Sequence, residues 1–435
     1  MLPTPVIDLE LVRKEPERVE ANLARRNDPG LLDRFREARA RDQEWRAGRA
    51  EADRLRRRRN ELSHAIARSR AAGDATGALE AEARTALAEF DAVEAREARL
   101  GEERDRLVRG LPNLLDDSVP TGRDDSENVV VATWGEPARD AAWRRPHGDL
   151  LEALGMAEFE RARRASGAGF YYLTGPIVLL DLALQRFALD LVMERGFSPV
   201  IPPFLLRRTP YEGVTDIADF EKVMYKIDGE ELYLIATSEH PLAALYLGEI
   251  LDEDRLPIRL AGLSTNFRRE IGGHGVDQKG IFRVHQFEKV EQFVFCRPEE
   301  SPAIHEELRA NAEEVFRRLE VPYRVVNVCT GDLGSVAAKK YDIEAWFPRQ
   351  QAYREVVSCS NCTDYQARRL GIRLGKAGKP GKTVPHTLNS TAVATSRGLA
   401  VILEQYQQAD GSVSVPRVLR PYLGGRDTIR ASPRT

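Results

Sequence analysis

Residues 31 to 110 contain no proline and almost no β-branched side chain; Ala, Arg, Glu and Leu make up most of them. A run of that length and make-up resists sheet formation and commits the segment to helix. Its second half repeats apolar residues every seven positions at Leu79, Ala86, Val93, Leu100 and Leu107, with Ala83 and Phe90 in the neighbouring seam position, which is a coiled-coil pattern. The first half is looser: Ala38, Trp45 and Ala52, then Leu55, Leu62 and Ile66. Between the halves, residues 71–77 offer Gly73 and Gly77 with Asp74 and Thr76, suited to ending one helix and starting another. The spacing predicts two long helices folded back on each other, ~35–40 residues each and roughly 50–60 Å long.

Charge divides unevenly between them. The first helix carries Arg54 and the run Arg56, Arg57, Arg58 and Arg59, and the second is net acidic. Mutual attraction of oppositely charged helices accounts for this pattern; a basic face offered to phosphates accounts for it equally, with affinity that fades as salt rises.

The rest of the 435-residue chain is different, and the whole is too long for one ordinary core. Hydrophobic residues at 42 % and charged residues at 31 % describe a soluble globular protein, and a net charge of -3 names no partner. No stretch reaches the ~18 uninterrupted apolar residues of a membrane span. Residues 1–15 lack an export signal and only four cysteines occur, so a reducing, cytoplasmic setting is expected. Three regions are expected: a helical N-terminal domain over 1–112 with its coiled coil over about 31–110, a connecting segment over 113–169, and a domain over 170–435. In the last, short apolar runs (196–204, 232–236, 283–295, 321–328) alternate with helical stretches, which predicts an α+β fold with an antiparallel sheet.

Neither a phosphate loop nor a dinucleotide-binding glycine motif is present; residues 375–383 are one residue too long and follow no apolar strand. Another device stands between Asn266 and Phe295. Arg268 and Glu270 end one expected strand, a loop with Gly272, Gly273, Gly275 and Gly280 follows, and the returning strand carries Phe287 and Glu291 four residues apart. A strand–loop–strand unit brings an arginine, an aromatic ring and two carboxylates to one surface. Taken singly, each has a plainer reading: an ion pair, a core ring, a turn cap. Cys359-x-x-Cys362 is half of a zinc-ligand pattern with no second half, so structural thiols are expected there.

Order and spacing together carry more. Arg268-x-Glu270, the loop, Phe287 and Glu291 resemble the second signature motif of class II aminoacyl-tRNA synthetases; residues 195–204 resemble the first, and 389–404, with Arg397, the third. Further runs resemble the seryl-tRNA synthetase family, from about residue 6 to 423: Ile7-Asp8-Leu9, Asn22-Leu23, Leu111-Pro112-Asn113-Leu114, Asp116 to Pro120, Trp134 to Pro137, Thr237 to Pro241, Glu355 to Asn361 and Arg420-Pro421-Tyr422. Residues 213–220 and 343–347 look closest to the archaeal-like branch of the bacterial type. One departure is Gly398, where threonine is commoner in the family.

The resemblance implies a class II synthetase-like antiparallel sheet flanked by helices and a ligase that joins serine to ATP, then to the terminal adenosine of tRNA(Ser), and of tRNA(Sec) where present. It implies Arg268 and Arg397 as catalytic residues. For serine it implies Thr237, Ser238, Glu239, Arg268, Glu291 and Thr391. For ATP it implies Arg268, Arg269, Glu270, Val284, Phe287, Glu355, Val356, Val357, Ser358 and Arg397, with Glu355 and Ser358 on Mg²⁺ and no zinc. It further implies tRNA contact through the helical arm and the glycine-rich loop, and a homodimer without membrane association. A serine-activating paralogue, including a resistant second copy, would carry the same motifs; a non-catalytic RNA-binding scaffold would be expected to have lost Arg268, Glu291, Glu355 or Arg397.

Overall fold

The computed structural model describes residues 7–139, 143–215, 223–270, 280–376, 379–381 and 383–431. The glycine-rich loop with Gly272, Gly273 and Gly275, and parts of 213–220 and 375–383, lie outside the described residues. The chain divides into two compact units, Thr4–Leu114 and Leu115–Thr435 with Met1–Pro3.

The first unit holds α1 (Leu9–Lys14), α2 (Pro16–Ala24), α3 (Pro29–Ala72) and α4 (Gly77–Arg109), of which α3 and α4 run 44 and 33 residues. Helix α3 starts where Asp28 accepts from Gly30 N and stops at Gly73, whose φ of 79° is the left-handed conformation that glycine tolerates. Much of the seam read from the sequence is buried, at Ala38, Ala52, Leu55, Leu62, Ala86, Phe90 and Leu100, whereas Trp45, Ile66, Leu79, Ala83, Val93 and Leu107 are half-buried. Two seam positions are polar. Glu97 pairs with Arg49 at 3.4 Å, and Arg104 lies 4.3 Å over the Trp45 ring.

The second unit is built on an eight-stranded sheet. Its strands are β1 (Val129–Trp134), β2 (Ser198–Val200), β3 (Ile258–Phe267), β4 (Gln286–Cys296), β5 (Tyr323–Asn327), β6 (Lys339–Phe347), β7 (Ala352–Asn361) and β8 (His386–Ala394). They lie in the order β1-β5-β6-β7-β8-β4-β3-β2, antiparallel except for the β2–β3 pair. Residues 113–169, which read as connecting structure, contribute the edge strand β1, and Leu150, Leu151 and Met156 join the main core. Helices α5 (Pro176–Glu194), α6 (Ser301–Arg318) and α7 (Thr395–Tyr406) pack on the sheet. Gly398 sits where α7 meets α5: a Cβ there would stand 2.7 Å from Leu184 Cδ2, so close helix packing accounts for the missing threonine. No helix among the described residues is long and apolar enough to cross a membrane.

Candidate active site

Strands β8, β4 and β3 lie side by side, and strand alternation sorts their residues. On β4, Val290 and Val294 enter the main core, whereas Lys289 and Glu291 point the other way. Glu291 stands between Gly262 on β3 and Thr391 on β8, and Thr391 Oγ1 donates to its Oε2 at 3.3 Å. The β8–β4 register slips between Thr391 and Val393, and that of β7–β6 between Glu355 and Val357, so each irregularity re-aims a side chain beside the pocket. Gly262 admits a close neighbour: a Cβ there would fall 2.8 Å from Ser238 Oγ, so its absence lets the 237–239 turn lie on the sheet. The turn is fastened by Glu239 N donating to Thr237 Oγ1 (3.2 Å), Ala236 N donating to the Tyr211 hydroxyl (3.1 Å) and Arg268 Nε donating to Ala236 O (3.2 Å).

Of the residues singled out from the sequence, Thr237, Glu239, Arg268, Glu270, Val284, Phe287, Glu291, Glu355, Val356, Ser358, Thr391 and Arg397 line one pocket of about 260 Å³. Ser238, Arg269 and Val357 do not: Ser238 is buried against Gly262, Arg269 is exposed and Val357 belongs to the core. The pocket also takes in Phe282, Lys289, Ser360, Asn389, Ala394 and Ser396, which sequence reasoning missed. Lys289 was within reach of it, since it falls between Phe287 and Glu291 on the alternating strand. Gln366, which donates to Glu239 Oε1 at 2.7 Å, comes from the short helix Tyr365–Arg369 and carried no signal.

Charges in the pocket are packed in opposition. Arg268 lies 5.3 Å over the Phe287 ring, and Arg397 lies 5.2 Å over Phe282 and donates to Glu355 Oε1 at 3.0 Å. Burial alone would push the Glu355 carboxyl up, but Arg397, Lys340 and Arg268 together hold it below its usual range. Burial, then the nearby charge of Glu291, push Glu239 up to about 7. Lys289 is lowered by burial against the pull of Glu291; its Nζ lies 2.5 Å from Thr237 Oγ1 and 2.6 Å from Glu291 Oε2. Glu355, held ionised, and the Ser358 hydroxyl line the pocket together, two hard oxygens of the kind that fit Mg²⁺. No cluster of three or more His, Cys, Asp or Glu suited to a metal occurs among the described residues, and all four cysteines are buried and unbridged.

Comparison with known proteins gives this pocket a lineage. The family described as "Seryl-tRNA synthetase N-terminal domain" matches residues 6–115, and "tRNA synthetase class II core domain (G, H, P, S and T)" matches 222–406. A serine–tRNA ligase of Methanocella arvoryzae is 56 % identical, over 98 % of this chain and 100 % of its own length. The chain belongs to the seryl-tRNA synthetase family. Its activity is that of a class II serine–tRNA ligase. The seryl-tRNA synthetase of Pyrococcus horikoshii, solved in complex with ATP, superposes with a TM-score of 0.94 at 46 % identity, covering 98 % of this chain and 100 % of its own. The cytoplasmic enzyme of Naegleria fowleri, solved with AMP, gives 0.90 at 33 % identity, with 99 % and 100 % coverage. The class II sheet and the long helical pair expected from the sequence are those of these seryl-tRNA synthetases.

Proposed function

We propose that the pocket forms seryl-adenylate from L-serine and ATP, and that the seryl group then passes to the 3′-terminal adenosine of tRNA(Ser), and of tRNA(Sec) where that tRNA exists. The observation that carries this reading is the convergence of Arg268, Glu291, Glu355 and Arg397, drawn from separate elements, on one pocket with Thr237, Glu239 and Thr391. That the Pyrococcus and Naegleria enzymes were solved with ATP and with AMP supports an adenine nucleotide as the ligand.

Activation needs no protein nucleophile, because the serine carboxylate attacks the α-phosphate; the protein aligns the reactants and balances the spreading negative charge. Arg268 presents a planar donor pair to carboxylate and α-phosphate. Phe287 offers its ring to adenine, Glu270 faces the adenine amino group, and Arg397 reaches the γ-phosphate. Glu355 and Ser358 would hold Mg²⁺, which when bound neutralises phosphate charge. Glu239 pairs with the substrate ammonium, while Glu291 and Thr391 read the hydroxyl. Losing one such donor costs about 10²–10³ in rate, the drop expected for R268A in pyrophosphate exchange.

Two copies complete the enzyme. Helix α5 carries Val178, Leu179, Leu182 and Met193 at 36 to 54 % exposure, and Ile201 beside β2 is 74 % exposed. An apolar stripe of this kind fits a symmetric partner.

The test is serine-dependent charging of total tRNA by the purified protein, with alanine, threonine and cysteine as controls. Serine alone should be ligated, and a protein that exchanges no pyrophosphate with ATP and serine would revive the scaffold reading.

A further inference from the structure

The residue the pocket adds to the sequence reading is Lys289, and its contacts fix more than its own position. An ammonium only donates. Its bond to Thr237 Oγ1 at 2.5 Å therefore makes that hydroxyl an acceptor, and Glu239 N makes it an acceptor a second time at 3.2 Å. The one proton of Thr237 is left to be given to a ligand. Glu291 is constrained from the same side: its Oε2 accepts from Lys289 at 2.6 Å and from Thr391 at 3.3 Å, and a carboxylate has nothing to donate. Its other oxygen is left to accept from a ligand. A group lodged between them must take a proton from Thr237 and give one to Glu291, which is the hydrogen-bonding pattern of a hydroxyl. A methyl group does neither.

We infer that Lys289 is the positioning residue that makes the serine subsite selective for a hydroxyl, by fixing Thr237 as a donor and Glu291 as an acceptor toward the substrate. This rests on the serine-activating function proposed above and assigns within it a role to a residue of the second motif to which the resemblance gives none. Charge supports it. The ionisable groups facing Lys289 are Glu291 on its own strand, Glu239 and His240 from the short helix Glu239–Ala244, and Arg268 after β3. His240 is held neutral, pushed down to about 3 by burial and then by Lys289 and Arg268. Two cations thus face two carboxylates. Without Lys289 the pair Glu239–Glu291 is left with one cation, and Glu239, already up at about 7, rises further.

The experiment is pyrophosphate exchange by the full-length enzyme carrying K289M, with serine, alanine and threonine as substrates, across a pH series. The KM for serine should rise about 10–100-fold, the loss one charge-assisted hydrogen bond implies, while the KM for ATP stays within about twofold. The preference for serine over alanine should fall by a similar factor. The pH below which serine binding weakens should move upward, a change that lost packing alone does not produce. K289Q, which donates without charge, keeps part of the serine preference but shows the same pH shift, and it decides the matter if K289M does not fold. An unchanged serine-to-alanine ratio, or equal loss of serine and ATP binding, overturns the role of Lys289. Absence of serine-dependent exchange in the unsubstituted enzyme overturns the proposed function instead.

Discussion

Glu239 is held by three elements at once: the turn that carries it, Gln366 from a short helix, and the charges of Lys289 and Glu291 on β4. Burial leads the forces that push its carboxyl up to about 7, so near neutrality it is divided between acid and carboxylate. The substrate ammonium pairs only with the carboxylate. The sign follows directly: serine binding strengthens as pH rises through about 7 and weakens below it, so the KM for serine should rise toward tenfold per unit of acidification while that for ATP changes little. E239Q should give a raised and nearly flat profile. A serine KM that ignores pH between roughly 6 and 8 would sink the assignment. At this scale the sequence was informative where residues sit in a spaced motif, as with Arg268, Phe287, Glu291, Glu355 and Arg397. It was silent on Gln366, which contact in space alone brings to Glu239. Ser238 and Arg269 show the reverse limit, since adjacency in a motif does not say which way a side chain turns.

Elements were legible in proportion to their periodicity. The two long helices announced themselves by the heptad and by the glycines between them, whereas β1 rests on a short valine run whose place is decided by its partner β5, nearly two hundred residues on. The heptad also gave no sign of the polar layer inside the helical unit. Asp42, its side chain 3 % exposed, accepts from Arg13 at 2.8 and 2.7 Å, with Arg46 at 3.2 Å and Arg104 at 3.5 Å. Burial alone would raise its carboxyl, but the Arg13 bonds and the other two arginines hold it below the ordinary range. A depressed acid contributes stability that is present above its unfolded value and lost as pH falls through the folded one; α3 and α4 should therefore loosen below about pH 4. D42A should weaken this unit by about 3 kcal/mol by leaving the arginines uncompensated, read as roughly hundredfold faster amide exchange along both helices. D42N should blunt the acid dependence. Exchange rates unchanged in D42A would mean that the arginines find other partners.

At the scale of the whole molecule, the proposed dimer and the proposed tRNA contact of the helical unit each have their own measurement. On the proposed dimer, L179D/L182R places charge in the exposed stripe of α5, and sedimentation should show monomers; a dimer that survives the double substitution lies elsewhere. The helical unit poses the finer problem, because one sequence reading of its charge, attraction between the helices, shows in its ion pairs, while the other, phosphate contact, has to be measured. Arg56 and Arg58 face Glu94 and Glu82 across the two helices, and Arg70 faces Glu80, so attraction between helices is real. Arg56 and Arg59 also lie over the Phe90 ring, at 5.4 and 5.1 Å. Reversing the whole run to glutamate would therefore disturb the helix pair as well as any phosphate contact. Arg57 separates the two. It is exposed and forms no ion pair or hydrogen bond among the described residues. If the basic face meets the tRNA backbone, R57E should lower charging about tenfold and reduce its salt dependence by the share of one phosphate, with serine-dependent pyrophosphate exchange untouched, because every group lining the pocket lies in the other unit. Equal loss of charging and exchange would tie Arg57 to the chemistry. Charging that keeps its rate and its salt slope would leave helix pairing as the sole use of the arginine run.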